Sequence, residues 1–274
     1  MSFSILIASV ALVFNSCGTS KKVVNEPISE VVAVEEVAEE INRDTIPVIE
    51  TISESENIIA KIINHSEWDN LLQKYVTING NVNYKGFKNE ELKLNSYLAH
   101  LSNYTPDDSW SKDEKMSYWI NTYNAFTVKL IIDNYPISSI KDIESPWDIQ
   151  FINLGNKTFS LNDIEHKILR KMNDPRIHFG IVCASISCPN LQNKAFEASK
   201  LNSQLENATK EFLADTSKNN LTENSIEISK IFKWFAKDFK NEGTLVDFLN
   251  NYSEITISQN AKKTFKDYDW NLNE

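Results

Sequence analysis

The sequence predicts an α+β fold: one mostly helical domain with a small sheet around a buried strand at about 176–184. Apolar residues recur at helical spacing in several long stretches, whereas strand-like alternation is confined to a few short runs. Glycine occurs only 6 times, which argues against a glycine-rich sandwich or a dinucleotide-binding fold. With 41% hydrophobic and 11% aromatic residues among 274, the chain can bury a large core.

Residues 1–17 have the pattern of a bacterial lipoprotein signal peptide. Ser4 to Phe14 is almost wholly apolar, which is short for a membrane span and suits the core of a signal peptide. A small residue, then Cys17 and a glycine, follow this run. We therefore expect Cys17 to be lipidated and to anchor the chain to a membrane of the cell envelope, on the periplasmic or outer-membrane side.

Residues 18–60 are expected to form an acidic, flexible tether. They carry three basic and ten acidic residues and lack aromatic side chains, so they cannot bury enough apolar surface to fold. Most of the net charge of −10 lies here, and a chain of this sign is unsuited to a nucleic-acid partner. The globular domain is expected over residues 61–274.

Periodicity and end signals predict each element of that domain in turn. Ser111 with Glu114 is a capping box that opens a long helix, and the pair Gly155-Asn156 is a two-residue hairpin signal. Residues 176–184 form a β-rich apolar run and are predicted as a buried strand. The predicted elements are a helix at 68–76, a turn at 77–84, helices at 94–101 and 111–134, a hairpin at 151–159, a helix at 160–171, the strand at 176–184, a helix at 199–214, a strand at 225–229, and helices at 230–240 and 245–252.

Polar residues on the long helix are the first candidates for a site. Asn121 and Asn124 are three residues apart and share a face, with Tyr123 between them. Because the surrounding residues are typical of a core, both amides must find hydrogen-bond partners. They either orient a catalytic group or a substrate, or they hold the backbone of a neighbouring loop.

The next helix places a carboxylate beside an imidazole, at Glu165 and His166. Such a neighbour raises the pKa of a histidine and fixes its tautomer, as a general base requires. Asp163 and Arg170 fall on the same stripe as His166. The alternative is an exposed, salt-bridged helix face.

The predicted strand and the loop after it hold His178, Cys183 and Cys188. Alternation along a strand sets His178 and Cys183 on opposite faces, so His166 is the better partner for Cys183. Three roles are open for the cysteines: a disulfide in an oxidising compartment, a zinc site with His166 or His178, and a thiolate nucleophile.

Several long blocks of the chain resemble the DUF547 family. The blocks are 118–127, 163–170 and 174–189, with flanking matches near 68–84, 232–239 and 268–273. The resemblance covers about residues 65–273 and implies a bacterial protein that is often exported or lipid-anchored. It implies no substrate or mechanism, since the family name records an unknown function. The signature positions are Asn121, Tyr123, Asn124, Glu165, His166, Arg170, Asp174, Arg176, His178, Cys183, Cys188 and Pro189.

These observations lead to a hypothesis of a lipid-anchored, cysteine-dependent hydrolase or acyl transferase. Cys183 is its nucleophile, and His166 is its base, held by Glu165 or Asp163. The alternative is a non-catalytic ligand-binding or scaffold domain that takes a small molecule or peptide. Neither hypothesis includes a cofactor or a resident metal. The predicted catalytic residues are Cys183, His166, His178, Asn121, Asn124 and Glu165, and the predicted substrate-binding residues are Arg170, Arg176 and Tyr123.

Overall fold

A computed structural model describes residues 63–241 and 243–274. The predicted signal peptide, Cys17 and the tether lie outside these residues. The fold is α+β and mostly helical, as predicted. The helices are α1 (Ser66–Tyr75), α2 (Tyr84–Asn89), α3 (Glu91–Asn103), α4 (Lys112–Asn134), α5 (Ile177–Gly180), α6 (Leu201–Ala214), α7 (Ile231–Trp234) and α8 (Leu245–Tyr252), and the strands are β1 (Ile152–Leu154), β2 (Lys157–Phe159), β3 (Asn220–Leu221), β4 (Ser225–Ile228) and β5 (Lys262–Phe265).

The long helix α4 is the centre of the domain. Its start is fixed by the predicted capping box: the Ser111 N–H donates to the Glu114 carboxylate over 2.6 Å, and the Glu114 N–H donates to the Ser111 hydroxyl over 3.2 Å. Between residues 116 and 132 nearly every side chain is buried. A helix that is buried on all sides must be covered by other elements in every direction, so the rest of the fold is arranged around it.

Two small sheets complete the fold. The predicted hairpin forms between β1 and β2, with Ile152 opposite Phe159 and Gly155 at a positive φ of 56° in the turn. In the second sheet β4 lies between β3, which is antiparallel to it, and β5, which is parallel. The strand β4 is predicted by the sequence; β5 is not, because its residues are mostly polar and exposed.

The buried strand predicted at 176–184 is wrong. Residues 177–180 form α5, and the chain becomes extended only from Ile181. The start of this helix has a local cause, since the Asp174 carboxylate accepts the Arg176 N–H over 3.0 Å and the Asp174 carbonyl accepts the Ile177 N–H over 3.2 Å, which form a turn that leads into the helix. The segment is buried all round, so periodicity cannot separate strand from helix. The small sheet is therefore built around β4 and not around 176–184.

Two other predicted helices are irregular. The helix predicted at 160–171 continues as a π-helical turn, Asp163–Ile168, and then as a 3₁₀ turn, Leu169–Met172. The helix predicted at 230–240 is divided into α7 and a 3₁₀ turn, Asp238–Lys240. None of the helices in the described part of the chain has the length and apolar content needed to cross a bilayer.

The described residues bury two apolar clusters. The larger surrounds α4, and the smaller lies between α6, α8 and the three-stranded sheet. The short helix α5 joins them, because Ile177 belongs to the first cluster and Phe179 to the second.

Two asparagines of α4 hold neighbouring loops by their backbone. The Asn121 amide donates to the Phe196 carbonyl over 2.8 Å and accepts the Phe196 N–H over 2.9 Å. The Asn124 amide donates to the Gly180 carbonyl over 2.8 Å and accepts the Val182 N–H over 3.0 Å. Both side chains are almost completely buried. Of the two roles left open by the sequence, the structure shows the backbone-holding one.

Replacement of either asparagine by alanine is expected to destabilise the domain. Each change leaves one buried backbone carbonyl and one buried N–H without a partner, at a cost of about 3 kcal/mol in the free energy of unfolding. Urea denaturation of Asn121→Ala and Asn124→Ala measures this loss. The exposed helical residue Asn207 is the matched control, and Asn207→Ala is expected to stay within about 0.5 kcal/mol of wild type. Equal stability of all three variants contradicts the prediction.

Candidate functional site

A cavity of about 210 Å³ opens where the two apolar clusters meet. It receives side chains from α4, the π-helical turn, α7, the loop after α5 and the C-terminal segment. Such junctions between clusters are common places for small-molecule sites. The lining residues are Tyr123, Trp147, Asn162, Glu165, His166, His178, Ile181, Val182, Cys183, Cys188, Pro189, Ile231, Trp234, Phe235, Tyr268 and Trp270.

Four of these side chains, Trp147, Trp234, Tyr268 and Trp270, form what we call the aromatic wall. The Trp270 ring centroid lies 4.6 Å from that of Tyr268 and 5.6 Å from that of Trp147. The Trp234 centroid lies 4.8 Å from Tyr268 and 5.8 Å from Trp270. Trp234 is 46% exposed, so this ring of the aromatic wall is open to solvent.

Backbone pairing fixes the C-terminal segment, residues 268–274, at the edge of the cavity. The Ile186 N–H donates to the Asn271 carbonyl over 2.9 Å. On the other side, the Leu272 N–H donates to the Ser138 carbonyl over 2.9 Å. The last part of the chain is thereby held between two loops that are distant from it in sequence, and two rings of the aromatic wall come with it.

Glu165 is the one carboxyl group among the described residues that line the cavity. It is only 7% exposed, and its nearest donor is the Tyr123 hydroxyl, 3.4 Å from Oε2. Burial raises the pKa of Glu165 to about 7, although Arg170 and Tyr123 act in the opposite direction. A carboxyl group that titrates near neutral pH can both donate and accept a proton there.

The tautomer of His166 is fixed by Arg170. An Arg170 Nη1–H lies 2.9 Å from His166 Nδ1, and a guanidinium can only donate, so Nδ1 accepts and the ring proton sits on Nε2. Burial and the Arg170 charge lower the pKa of His166, so the ring is neutral at pH 7. Asp163 does not hold His166, contrary to the sequence hypothesis, because its carboxylate accepts the Ser160 N–H and pairs with Lys167.

A residue without a predicted role, Asp238, connects the two histidines. Its carboxylate accepts two hydrogen bonds from Arg170, of 2.6 and 2.8 Å, and a third of 2.8 Å from His178 Nε2. Burial works against ionisation, but these donors outweigh it and hold the pKa of Asp238 well below its usual range. His178 stacks on Phe235 with centroids 4.0 Å apart, and its burial lowers its pKa, so it acts as a neutral donor.

The two cysteines of this region form a disulfide, Cys183–Cys188, with Cα atoms 6.1 Å apart. The Tyr268 hydroxyl lies 3.2 Å from one sulfur and 3.3 Å from the other. Of the three roles left open by the sequence, the structure shows the disulfide. A bonded sulfur has no thiolate, so Cys183 in this form is neither a nucleophile nor a zinc ligand. Within residues 63–241 and 243–274, His, Cys, Asp and Glu side chains form no group of three that could hold a metal ion.

The structure brings only part of the predicted site together. The predicted residues that line the cavity are Tyr123, Glu165, His166, His178 and Cys183. Asn121 and Asn124 bind backbone groups and are not among the lining residues, so this geometry gives no support to their predicted catalytic role. Arg170 and Arg176 are also bound internally, and neither lines the cavity. Arg176 pairs with Asp174 over 2.7 Å and donates to the Asn202 side chain over 2.8 Å.

Sequence reasoning missed most of the aromatic lining and Asp238. A signal was present, because the stretches 232–239 and 268–273 contain Trp234, Phe235, Asp238, Tyr268 and Trp270 and were counted in the family resemblance. The sequence predicts no role for these residues at the site, because they are far from Glu165 along the chain and no short motif connects them to it. Tyr268 and Trp270 come to line the same cavity as Glu165 only because the C-terminal segment folds across the domain.

Comparison with known proteins gives one match. Residues 108–213 match the family described as "Protein of unknown function, DUF547". The resemblance seen in the sequence is thereby confirmed over these residues, which include α4, Glu165, His166, α5 and the disulfide. No curated protein and no solved structure matches the chain.

Loss of the disulfide is expected to lower the stability of the domain. A bridge that closes so short a loop contributes about 2 kcal/mol by restricting the unfolded chain. The double variant Cys183→Ser/Cys188→Ser is expected to lose this amount in urea denaturation. Reduction of the wild type provides the internal control, because it lowers the stability of the wild type and leaves the double variant unchanged. If reduction affects both proteins equally, the prediction fails.

The raised pKa of Glu165 predicts a specific pH dependence of stability. Between pH 4.5 and about 7 the folded protein keeps a proton that the unfolded chain releases, so the free energy of unfolding falls as the pH rises. The total effect is at most about 3 kcal/mol and levels off above pH 7.

Urea denaturation across this range checks the prediction with Glu165→Gln, which lacks the titrating group. The stability of this variant relative to wild type is expected to increase from pH 4.5 to 7. Glu254→Gln, at an exposed position, is the control and is expected to follow the wild type at every pH. A constant difference between Glu165→Gln and wild type contradicts the raised pKa.

Proposed function

Residues 108–213 of this chain are a DUF547 region, whose family has no established function, and we propose from the site itself that the domain binds a small molecule in the cavity beside Glu165. The ligand enters beside Trp234 and packs against the aromatic wall. Glu165 and the Nε2–H of His166 supply polar contacts that fix its orientation. This is the ligand-binding alternative of the sequence analysis.

The observation that carries this proposal is a buried carboxyl group facing an apolar, aromatic-lined space. Burial of such a group costs free energy unless it is hydrogen-bonded or paired. Tyr123 supplies one long hydrogen bond to Glu165, whereas Asp238 at the same site receives three short ones. A carboxyl group kept in this condition next to a cavity is typical of a site that completes its bonding with a ligand.

The cysteine-dependent hydrolase or acyl transferase predicted from the sequence is supported less well. Its nucleophile would be Cys183, whose sulfur is bonded to Cys188. Its oxyanion donors would be Asn121 and Asn124, whose amides are engaged with backbone groups. Without a thiolate and without free donors, the machinery of acyl transfer is not assembled here.

We also propose that the domain acts outside the cytoplasm, anchored through a lipid on Cys17. The apolar run before Cys17 supports export, and the acidic segment 18–60 is suited to hold the domain away from the membrane surface. The disulfide agrees with this location, because disulfides persist in oxidising compartments.

A second candidate function is acid–base chemistry on the bound molecule. The pKa of Glu165, raised to about 7, suits proton transfer at neutral pH, and the neighbouring His166 offers a fixed Nε2–H donor. The two functions share the cavity and differ in one respect. A binding domain returns its ligand unchanged, whereas an acid–base enzyme converts it.

The six tryptophans allow a direct test of ligand binding at this site. Trp147, Trp234 and Trp270 line the cavity, whereas Trp68, Trp110 and Trp119 do not. We expect members of a fragment library of small polar and charged molecules, at millimolar concentration, to shift the indole N–H signals of the first three in an ¹⁵N-resolved NMR spectrum.

Two variants separate binding in the cavity from binding elsewhere. In Trp234→Ala the shift of the Trp147 and Trp270 indole signals is expected to need about tenfold more ligand, because the variant lacks an exposed ring that contacts the ligand. Tyr104→Ala also removes an exposed ring, at a position away from the cavity, and is expected to bind as the wild type does. The proposal fails if no fragment shifts the cavity indoles, or if fragments shift only the other three.

A further inference from the structure

The shape of the aromatic wall points to the class of ligand. Three of the ring pairs are strongly tilted, by 47° between Tyr268 and Trp270, by 56° between Trp234 and Tyr268 and by 67° between Trp147 and Trp270. The fourth pair, Trp234 and Trp270, is closer to parallel, at 28°. A sugar ring stacks best on one exposed aromatic plane. Rings at several angles instead offer their electron-rich faces to a compact group from more than one direction, as in sites for alkylated ammonium ions.

The wall already holds one cation within the protein. The Lys141 ammonium lies 4.1 Å from the centroid of the Trp270 ring, and Lys141 is not among the residues that line the cavity. Tryptophan is the best of the aromatic side chains for this interaction, which strengthens when water is excluded. Three of the four rings in the wall are tryptophans.

The charges around the cavity leave the Glu165 carboxylate without a counter-ion of its own. Among the described residues, two cations lie near the site. Asp238 binds Arg170 through both carboxylate oxygens and neutralises it, and Lys141 lies against Trp270 but is not among the residues that line the cavity. His166 and His178 are neutral at pH 7, since burial lowers the pKa of both. Asp148 also acts electrostatically on His166, and its negative charge offsets the positive charge of Lys141. Once Glu165 is ionised, the site therefore has a net negative charge, which favours a cation.

We propose that the ligand carries an alkylated ammonium group, held between the aromatic wall and the carboxylate of Glu165. This inference rests on the proposed function and adds the chemical class of the ligand to it. The rings bind the alkyl surface and the diffuse positive charge, and the carboxylate supplies the counter-charge. A neutral molecule of the same shape gains only the contact between the rings and its alkyl surface.

A matched pair of probes tests the role of charge. Choline and 3,3-dimethyl-1-butanol have the same shape and differ in a positively charged nitrogen against a neutral carbon. Titrated into the whole protein at pH 8 and followed through the indole signals of Trp147, Trp234 and Trp270, choline is expected to bind at least about tenfold more tightly. In Glu165→Gln the preference for choline is expected to fall severalfold, to what the rings alone supply, while Glu254→Gln is expected to keep the wild-type preference.

The outcomes separate this inference from the proposed function. If the neutral probe, or methyl glucoside as a sugar probe, shifts the cavity indoles at least as strongly as choline, the cavity binds ligands but the inference of a cation is overturned. If choline binds well but keeps its preference in Glu165→Gln, the assigned role of Glu165 is wrong. If none of the three probes shifts the indoles, the inference is also overturned, and the fragment library above decides the proposed function separately.

Discussion

The geometry of the site depends on the two hydrogen bonds between the Asn124 side chain and the backbone at Gly180 and Val182. These bonds fasten the end of α5, and the extended residues after it, to the most buried helix of the domain. His178 lies just before the fastened segment and the disulfide begins just after it. Both therefore take their positions from an amide on α4. The amide is buried, so water cannot take the place of these two hydrogen bonds if the Asn124 side chain is lost. The attachment is therefore specific as well as strong.

The position of Arg170 gives two nearby carboxyl groups opposite pKa shifts. Asp238 and Glu165 both lie near Arg170, yet Asp238 takes the guanidinium through two bonds and leaves Glu165 to a long-range attraction. The pKa of Asp238 is consequently held low, and the pKa of Glu165 is raised. One group stabilises the fold as a permanent anion. The other carries a charge that depends on pH and on what occupies the cavity.

The sequence predicts the parts of this protein that local signals determine. The capping box at Ser111 and the hairpin at Gly155 are encoded within a few residues and are found as expected. Glu165 and His166 both line the cavity, but the predicted effect of the carboxylate on the imidazole is not found, because Arg170 fixes the tautomer of His166 and burial lowers its pKa. The failures have two physical origins. Residues 176–184 are apolar on every side, so the pattern did not distinguish strand from helix. The partnership of Asp238 with Arg170 spans 68 residues and depends on tertiary packing that no local pattern encodes.

The density of polar residues in the signature blocks does not by itself mark catalysis. Asn121, Asn124, Arg170 and Arg176 all have their hydrogen-bonding groups satisfied inside the protein, and their burial is explained by the loops and turns that they hold. Functional groups are better recognised by what the fold leaves incomplete. By this criterion Glu165 stands apart, because it is buried and weakly bonded beside an open aromatic wall. The neighbouring Asp238 is held by three short hydrogen bonds, whereas Glu165 has one long hydrogen bond, so we attribute Glu165 to binding.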